Sequence, residues 1–116
     1  MPLLSTGPIE QEPGVNQLRV KALNDTNANQ TVVARIFNLD GTKLLVATIE
    51  FTMAPNSSRF AIVNIPNFAE FEVQFNTSNP DVLVAVFAVN RTTGEFSCAN
   101  SVRAGEMVVL ASSPTA

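Results

Sequence analysis

Histidine, tryptophan and tyrosine are missing from this 116-residue chain, and cysteine occurs once, at Cys98. Without histidine, neither a Ser–His–Asp nor a Cys–His nucleophile arrangement can be built, nor a histidine-ligated zinc site. Without tryptophan or tyrosine, only phenylalanine is left as a platform for stacking a sugar ring. One cysteine excludes an intrachain disulfide and any multi-cysteine metal site. The five glycines form neither a P-loop nor a Gly-x-Gly-x-x-Gly turn. No catalytic residue, cofactor or metal site is expected, and the chain does not read as an enzyme.

Charge is scarce as well. Charged residues make up 15% of the sequence, against about 25% in an ordinary soluble domain, while hydrophobic residues reach 46%. Asn, Thr and Ser take up the deficit, which suits a surface packed largely against neighbours. The seven basic residues (Arg19, Lys21, Arg35, Lys43, Arg59, Arg91, Arg103) are dispersed, and no basic stripe interleaves with aromatics. Counterion release needs such a cluster, so nucleic acid is not an expected partner. No apolar window approaches 18 residues, so no membrane-spanning helix is expected and no membrane is assigned as a partner. The N-terminus lacks a basic region followed by a long apolar stretch, so no secretory signal is expected there.

What is present is alternation. Leu18, Val20 and Ala22 alternate with Arg19 and Lys21, which predicts a strand with one wet face. Thr31–Leu39 and Thr42–Met53 flank Asp40-Gly41, a two-residue hairpin signal. Pairing Leu39 with Thr42 sets Phe37 opposite Leu44, Ile36 opposite Leu45 and Ala34 opposite Ala47. The inner face would then carry Val32, Ala34, Ile36, Leu45, Ala47, Ile49, Phe51 and Met53. The outer face would carry Val33, Arg35, Phe37, Leu44, Val46 and Thr48, which is too apolar for bulk water. A one-residue slip or bulge would exchange the two sets. Phe71, Val73 and Phe75 alternate with Glu72, Gln74 and Asn76, whereas Val82–Val89 is apolar at every position. The bland account of that run is a central strand beneath the long N-terminal segment. About eight short strands separated by turn signals predict an all-β, antiparallel β-sandwich of jelly-roll type.

Residues 1–14 stand apart. Pro2, Pro8 and Pro13 each remove a backbone donor, which suits extended or edge backbone and argues against a sheet interior. The chain therefore divides into an extended N-terminal connector arm, 1–14, and a sandwich domain, 15–116. Leu3, Leu4 and Ile9 are apolar enough to act as plugs in the edge of a neighbouring sheet, where an extended peptide gains main-chain hydrogen bonds and side-chain pockets. Strands apolar on both faces imply a missing cover, so Val33, Phe37, Leu44 and Val46 are a second candidate interface. Giving an arm forward while accepting one from behind is a heterologous contact, which closes into a ring or continues as a filament. The partner is a second copy of this chain, and the expected assembly is a helical filament.

Three smaller features carry bland readings. Glu70 and Glu72 lie on one strand face ~6.5–7 Å apart, and the sequence reads them as a solvated outer surface. Cys98 reads as a small buried side chain in a weak strand, with an intermolecular disulfide as the sharper alternative. The Asn-x-Ser/Thr sequences at Asn24, Asn29, Asn56, Asn76 and Asn90 fall where turns are expected in an Asn- and Thr-rich chain, and no glycan is assigned to them.

Four stretches carry a resemblance: Ala-Arg-Ile-Phe-Asn-Leu-Asp-Gly-Thr-Lys (34–43), Ala-Pro-Asn-Ser-Ser-Arg-Phe (54–60), Phe-Glu-Val-Gln-Phe (71–75) and Val-Leu-Val-Ala-Val-Phe-Ala (82–88). Together they resemble a family of small β-sandwich proteins from spore-forming Bacillus, associated with the exosporium and with pilus-like endospore appendages. The resemblance covers about half the chain. It implies a jelly-roll subunit of a spore-surface fibre, assembled inside the mother cell, with its arm inserted into the preceding subunit. Anchor and tip proteins of the fibre would be further partners. Some such subunits carry N-terminal cysteines for covalent linkage. This arm has none, so the linkage implied is non-covalent. Relatives often continue with a basic, histidine-containing segment where this chain has Ser-Val-Arg-Ala-Gly-Glu (101–106). The alternative reading is a monomeric or trimeric sandwich that presents loops such as Asn76–Asp81 to a receptor or glycan.

Overall fold

The computed structural model describes residues 3–11, 15–65, 70–79, 81–90, 93–94, 96–103 and 107–110. These form ten strands: β1 (Leu3–Ser5), β2 (Ile9–Glu10), β3 (Val15–Asn24), β4 (Gln30–Asn38), β5 (Leu44–Met53), β6 (Ser57–Asn64), β7 (Glu70–Thr77), β8 (Val82–Asn90), β9 (Phe96–Arg103) and β10 (Val108–Leu110). One sheet runs in the order β10-β1-β7-β4-β5, with β2 also paired to β7, and the other in the order β6-β3-β8-β9. All pairings are antiparallel. The chain is an all-β antiparallel sandwich, and residues from 15 onward supply eight of the strands.

Period-two alternation explains the core directly, because every second side chain of a strand points to the same face. Leu18, Val20 and Ala22 on β3 meet Val84, Val86 and Ala88 on β8 within one sheet. Across the sandwich they face Val32, Ala34 and Ile36 on β4 and Phe71, Val73 and Phe75 on β7. Phe51 and Met53 complete this layer from β5. On β3, β4, β5 and β7 these are the inward sets that the sequence alternation predicts, except for Leu45; on β8, apolar at every position, alternation assigned no face.

Leu45 departs because the hairpin before it is built differently. The strands stop at Asn38 and resume at Leu44, so Asp40-Gly41 does not close a two-residue turn. The Asp40 amide donates to Asn38 Oδ1 at 2.8 Å. The Leu39 amide donates to the Glu70 carbonyl at 3.1 Å, and the Glu70 amide donates to Asp40 Oδ1 at 3.0 Å. Bonds to the start of β7 thus compete successfully with closure of the ladder. The pairing moves by two residues, to Ala34↔Ile49 and Ile36↔Ala47, which keeps the inner set on the inner face. A bulge then sets Phe37 opposite Leu45, with Val46 as the extra residue. Leu45 consequently leaves the core and is 54% exposed.

Two further expectations change. The prolines do not keep the whole arm out of a sheet interior. Leu3–Ser5 lies between β7 and β10, and it can do so because Pro2, Pro8 and Pro13 all fall outside these three paired residues. The cover imagined over Val82–Val89 is also absent on this chain's described residues: β1 and β2 join the opposite sheet, and Leu83 stays exposed. Cys98 sits on β9, its side chain outside the described residues.

Candidate subunit interface

The arm is held in the sheet, because β1 has a strand on each side. Leu3, Leu4 and Ser5 stand opposite Asn76, Phe75 and Gln74 of β7 and opposite Leu110, Val109 and Val108 of β10. Leu4 faces inward, half-buried against the core, and Ile9 is buried in that core opposite Phe71. Leu3 is only 3% exposed although it points to the outer face, in line with Asn76. All three expected plugs therefore act as plugs, within their own chain.

Between β1 and β2 the backbone bends without leaving β7. The Thr6 amide donates to the Val73 carbonyl at 3.0 Å, and the Val73 amide donates back to Thr6 Oγ1 at 3.0 Å. Gly7 takes φ +69°, and its amide donates to Ser5 Oγ at 2.9 Å. That left-handed backbone costs glycine nothing and other L residues about 1 kcal/mol or more.

Beneath the bend sits Glu72, which the sequence reads as solvated. It is only 8% exposed. The Ser5 hydroxyl and Gln74 Nε2 (3.0 Å) both donate to Oε2, and Lys43 Nζ lies 2.8 Å from Oε1. Lys43 also lies over the Phe37 ring, 4.4 Å from its centroid. Burial pushes the Glu72 carboxyl up, but the Lys43, Ser5 and Gln74 bonds and the Lys43 charge outweigh it and hold the group below the usual glutamate range. One carboxylate thus ties the arm, the β4–β5 loop and β7 together. The solvated reading holds for Glu70, which is exposed opposite Glu10 of the arm.

The second expected interface is only partly assembled. Val33 and Phe37 are half-buried on the outer face, and Val46 is exposed at the bulge. Leu44 pairs with Asn38 at the sheet end and is 57% exposed. With Leu45 they form an apolar end to edge strand β5.

Sequence reasoning missed the outer face of the other sheet. Leu23, Phe60, Ile62 and Leu83 are all exposed there, around Arg19 and Lys21. The signal was present in Phe60-Ala-Ile-Val63, a short run apolar on both faces in the same way as Val82–Val89.

Comparison with known proteins bears on the fold. No family model matches the chain, and no curated protein matches it. Among solved structures it is similar to the crystal structure of Thermotoga maritima 1070, with a TM-score of 0.55 and 9% identity, over 93% of this chain and 90% of that one. Likeness at that identity is a likeness of fold alone: a two-sheet sandwich of nearly the same extent.

Proposed function

We propose that this protein is a structural, self-assembling subunit of a pilus-like fibre on the spore surface, linked to its neighbours non-covalently by exchange of the arm. The observation that carries this reading is the slot between β7 and β10, a two-sided strand position filled by Leu3–Ser5 of the arm. Every contact of Leu3–Ser5 with β7 and β10 can be made equally by the same segment of a second copy, which is the condition for swapping. Side-chain burial alone does not hold the arm within one chain. Burial of Leu3, Leu4 and Ile9 is worth roughly 5–8 kcal/mol, and fixing the backbone from Leu3 to Glu10 costs about 8. Only four residues, 11–14, separate the end of β2 from the start of β3 in the other sheet, and short hinges favour exchange. The resemblance of residues 34–43, 54–60, 71–75 and 82–88 to appendage subunits supports the spore-surface assignment, with anchor and tip proteins as further partners.

Negative-stain microscopy of the full chain, before and after partial denaturation that frees the arm, tests the reading. Fibres are expected from the full chain, and none from a chain lacking residues 1–10 unless the missing peptide is joined to a neighbour. Fibres from the truncated chain, or a full chain that stays monomeric at every concentration, would overturn it. A closed trimer in the same micrographs would favour the loop-presenting binding module instead.

A further inference from the structure

The outer face of the sheet β6-β3-β8-β9 is an organised mosaic of apolar and cationic side chains. Antiparallel register sets Lys21 between Phe60 and Ala85, and Arg19 between Ile62 and Phe87, in adjacent rows across three strands. Phe60 is 62% exposed, Ile62 and Leu83 about half, and Lys21 Nζ reaches over the Phe87 ring at 5.3 Å from the centroid. In register, no carboxylate stands among these rows, and β9 sets a third basic residue, Arg103, opposite Ala85.

The outer face of the other sheet has the opposite balance. Glu10, Glu50, Glu70 and Glu72 stand there against Arg35 and Lys43, so four negative and two positive groups give −2. Glu10 and Glu70 are directly opposite each other in register, both exposed. Two carboxylates so placed make this end of the face acidic. At the same end of the sheet, edge strand β5 exposes Leu45 on this face, opposite Phe37, with Val46 at the bulge beside it. Each face therefore offers what the other lacks.

We infer that the Lys21–Phe60 face of one copy docks on the Glu70–Leu45 face of the next, a second, face-to-face contact between subunits. The inference deepens the fibre reading and rests on it for the setting. Self-pairing of the cationic face is disfavoured because β3 is an interior strand, so a twofold contact would bring two rows of Arg19 and Lys21 together. The occupant must carry carboxylates among apolar groups, and the opposite side of this same sandwich does. Because the two faces lie on opposite sides of one subunit, the contact is heterologous: each copy can take a neighbour on either side, in a filament or a ring.

The test is a charge exchange in the full-length protein, read by sedimentation velocity at low and high salt. Lys21→Glu and Glu70→Lys should each weaken self-association about tenfold or more, and the combined variant should recover most of the loss. Association of the parent chain should fall as salt rises. Phe60→Ser, which alters no charge, should weaken association at both salt concentrations. Circular dichroism and melting of each variant establish that it is folded. Unchanged association in Lys21→Glu overturns the inference. So does an effect of Lys21→Glu that Glu70→Lys neither shares nor rescues, because the occupant would then be some other acidic partner. A parent chain that associates through these faces yet never forms fibres preserves this inference and sinks the fibre reading. Fibres indifferent to all three substitutions do the reverse.

Discussion

The Ser5 hydroxyl donates to the Glu72 carboxylate across a separation of 67 residues, in a part of the outer sheet face where both side chains are buried. The bond joins the arm to the interior strand of the larger sheet. Its strength comes from the ionised acceptor, since hydrogen bonds to charged groups contribute more than neutral ones. Ser5→Ala should therefore loosen the arm by about 1.5–3 kcal/mol. Glu72→Gln should do at least as much, because it also strips Lys43 of its partner. Hydrogen exchange at the amides of β1 reads this directly: protection there should fall while β3 and β8 are unaffected. The two substitutions together should cost less than their sum, since they share one bond.

Acid should act through the same carboxylate. Its pKa is lowered in the folded chain, so its contribution to stability is fully present above the ordinary glutamate range. That contribution is lost as pH falls through the lowered folded value. Hydrogen exchange at the β1 amides, corrected for intrinsic rates and followed from neutral pH down to about pH 3, should show arm protection declining in this acid window. Glu72→Gln should flatten the decline, and an unchanged acid limb in that variant would remove Glu72 as its cause.

How far the sequence could be read depends on which interaction decided each element. Alternation located the inward sets of β3, β4 and β7, because burial of one face is a local property of a strand, but it assigned no face to Val82–Val89 of β8, which is apolar at every position. It located Ala47, Ile49, Phe51 and Met53 as well, since a shift of two residues preserves the face. Leu45 failed because the bulge at Val46 arises from bonds between the hairpin loop and Glu70, 30 residues from Asp40. Glu72, Gln74 and Asn76 alternate like a wet face, and it is the arm, Lys43 and the neighbouring side chains of β4 that cover them. Leu3, Leu4 and Ile9 were recognisable as plugs, but the chain that owns the slot is a matter of topology, which periodicity does not encode.

Asn76 offers a substitution that should stabilise. Its side chain is buried between Leu3 and Val33 in register, and its Oδ1 has no hydrogen-bond partner among the described residues. A buried unsatisfied carbonyl costs about 1–3 kcal/mol, and an apolar side chain of similar volume removes that cost. Asn76→Leu should raise the midpoint of denaturant unfolding and increase protection of the Leu3 amide. A loss of stability would mean that the oxygen is satisfied in solution.

Asn24 is the opposite case. It is fully buried, and its Nδ2 donates to the carbonyls of Ala28 (2.8 Å), Met53 (3.2 Å) and Ala54 (3.0 Å). Its Oδ1 accepts from the Thr26 amide at 3.1 Å and from the Thr26 hydroxyl at 2.6 Å. The end of β3, the loop after it and the β5–β6 turn all meet at this one amide. Asn24→Ala should cost about 2–4 kcal/mol, because several carbonyls lose their donor together. Chemical denaturation measures the loss. The same burial makes Asn24 a poor glycan acceptor in the folded protein despite its Asn-x-Thr context.

Gly7 separates conformational strain from packing. A Cβ built there meets nothing within 4 Å, yet φ is +69°. Gly7→Ala therefore introduces no clash and acts only through the backbone, costing about 1 kcal/mol. The cost falls on the bend that lets Leu4 and Ile9 both enter the core from one side of β7. Exchange protection of β1 should drop about fivefold while the global melting temperature changes little. If arm exchange links subunits, the same strain is carried in the swapped form, where the bend recurs on the neighbour. Fibre yield should then fall with arm protection, and Gly7→Asn, whose side chain tolerates left-handed backbone, should restore part of both.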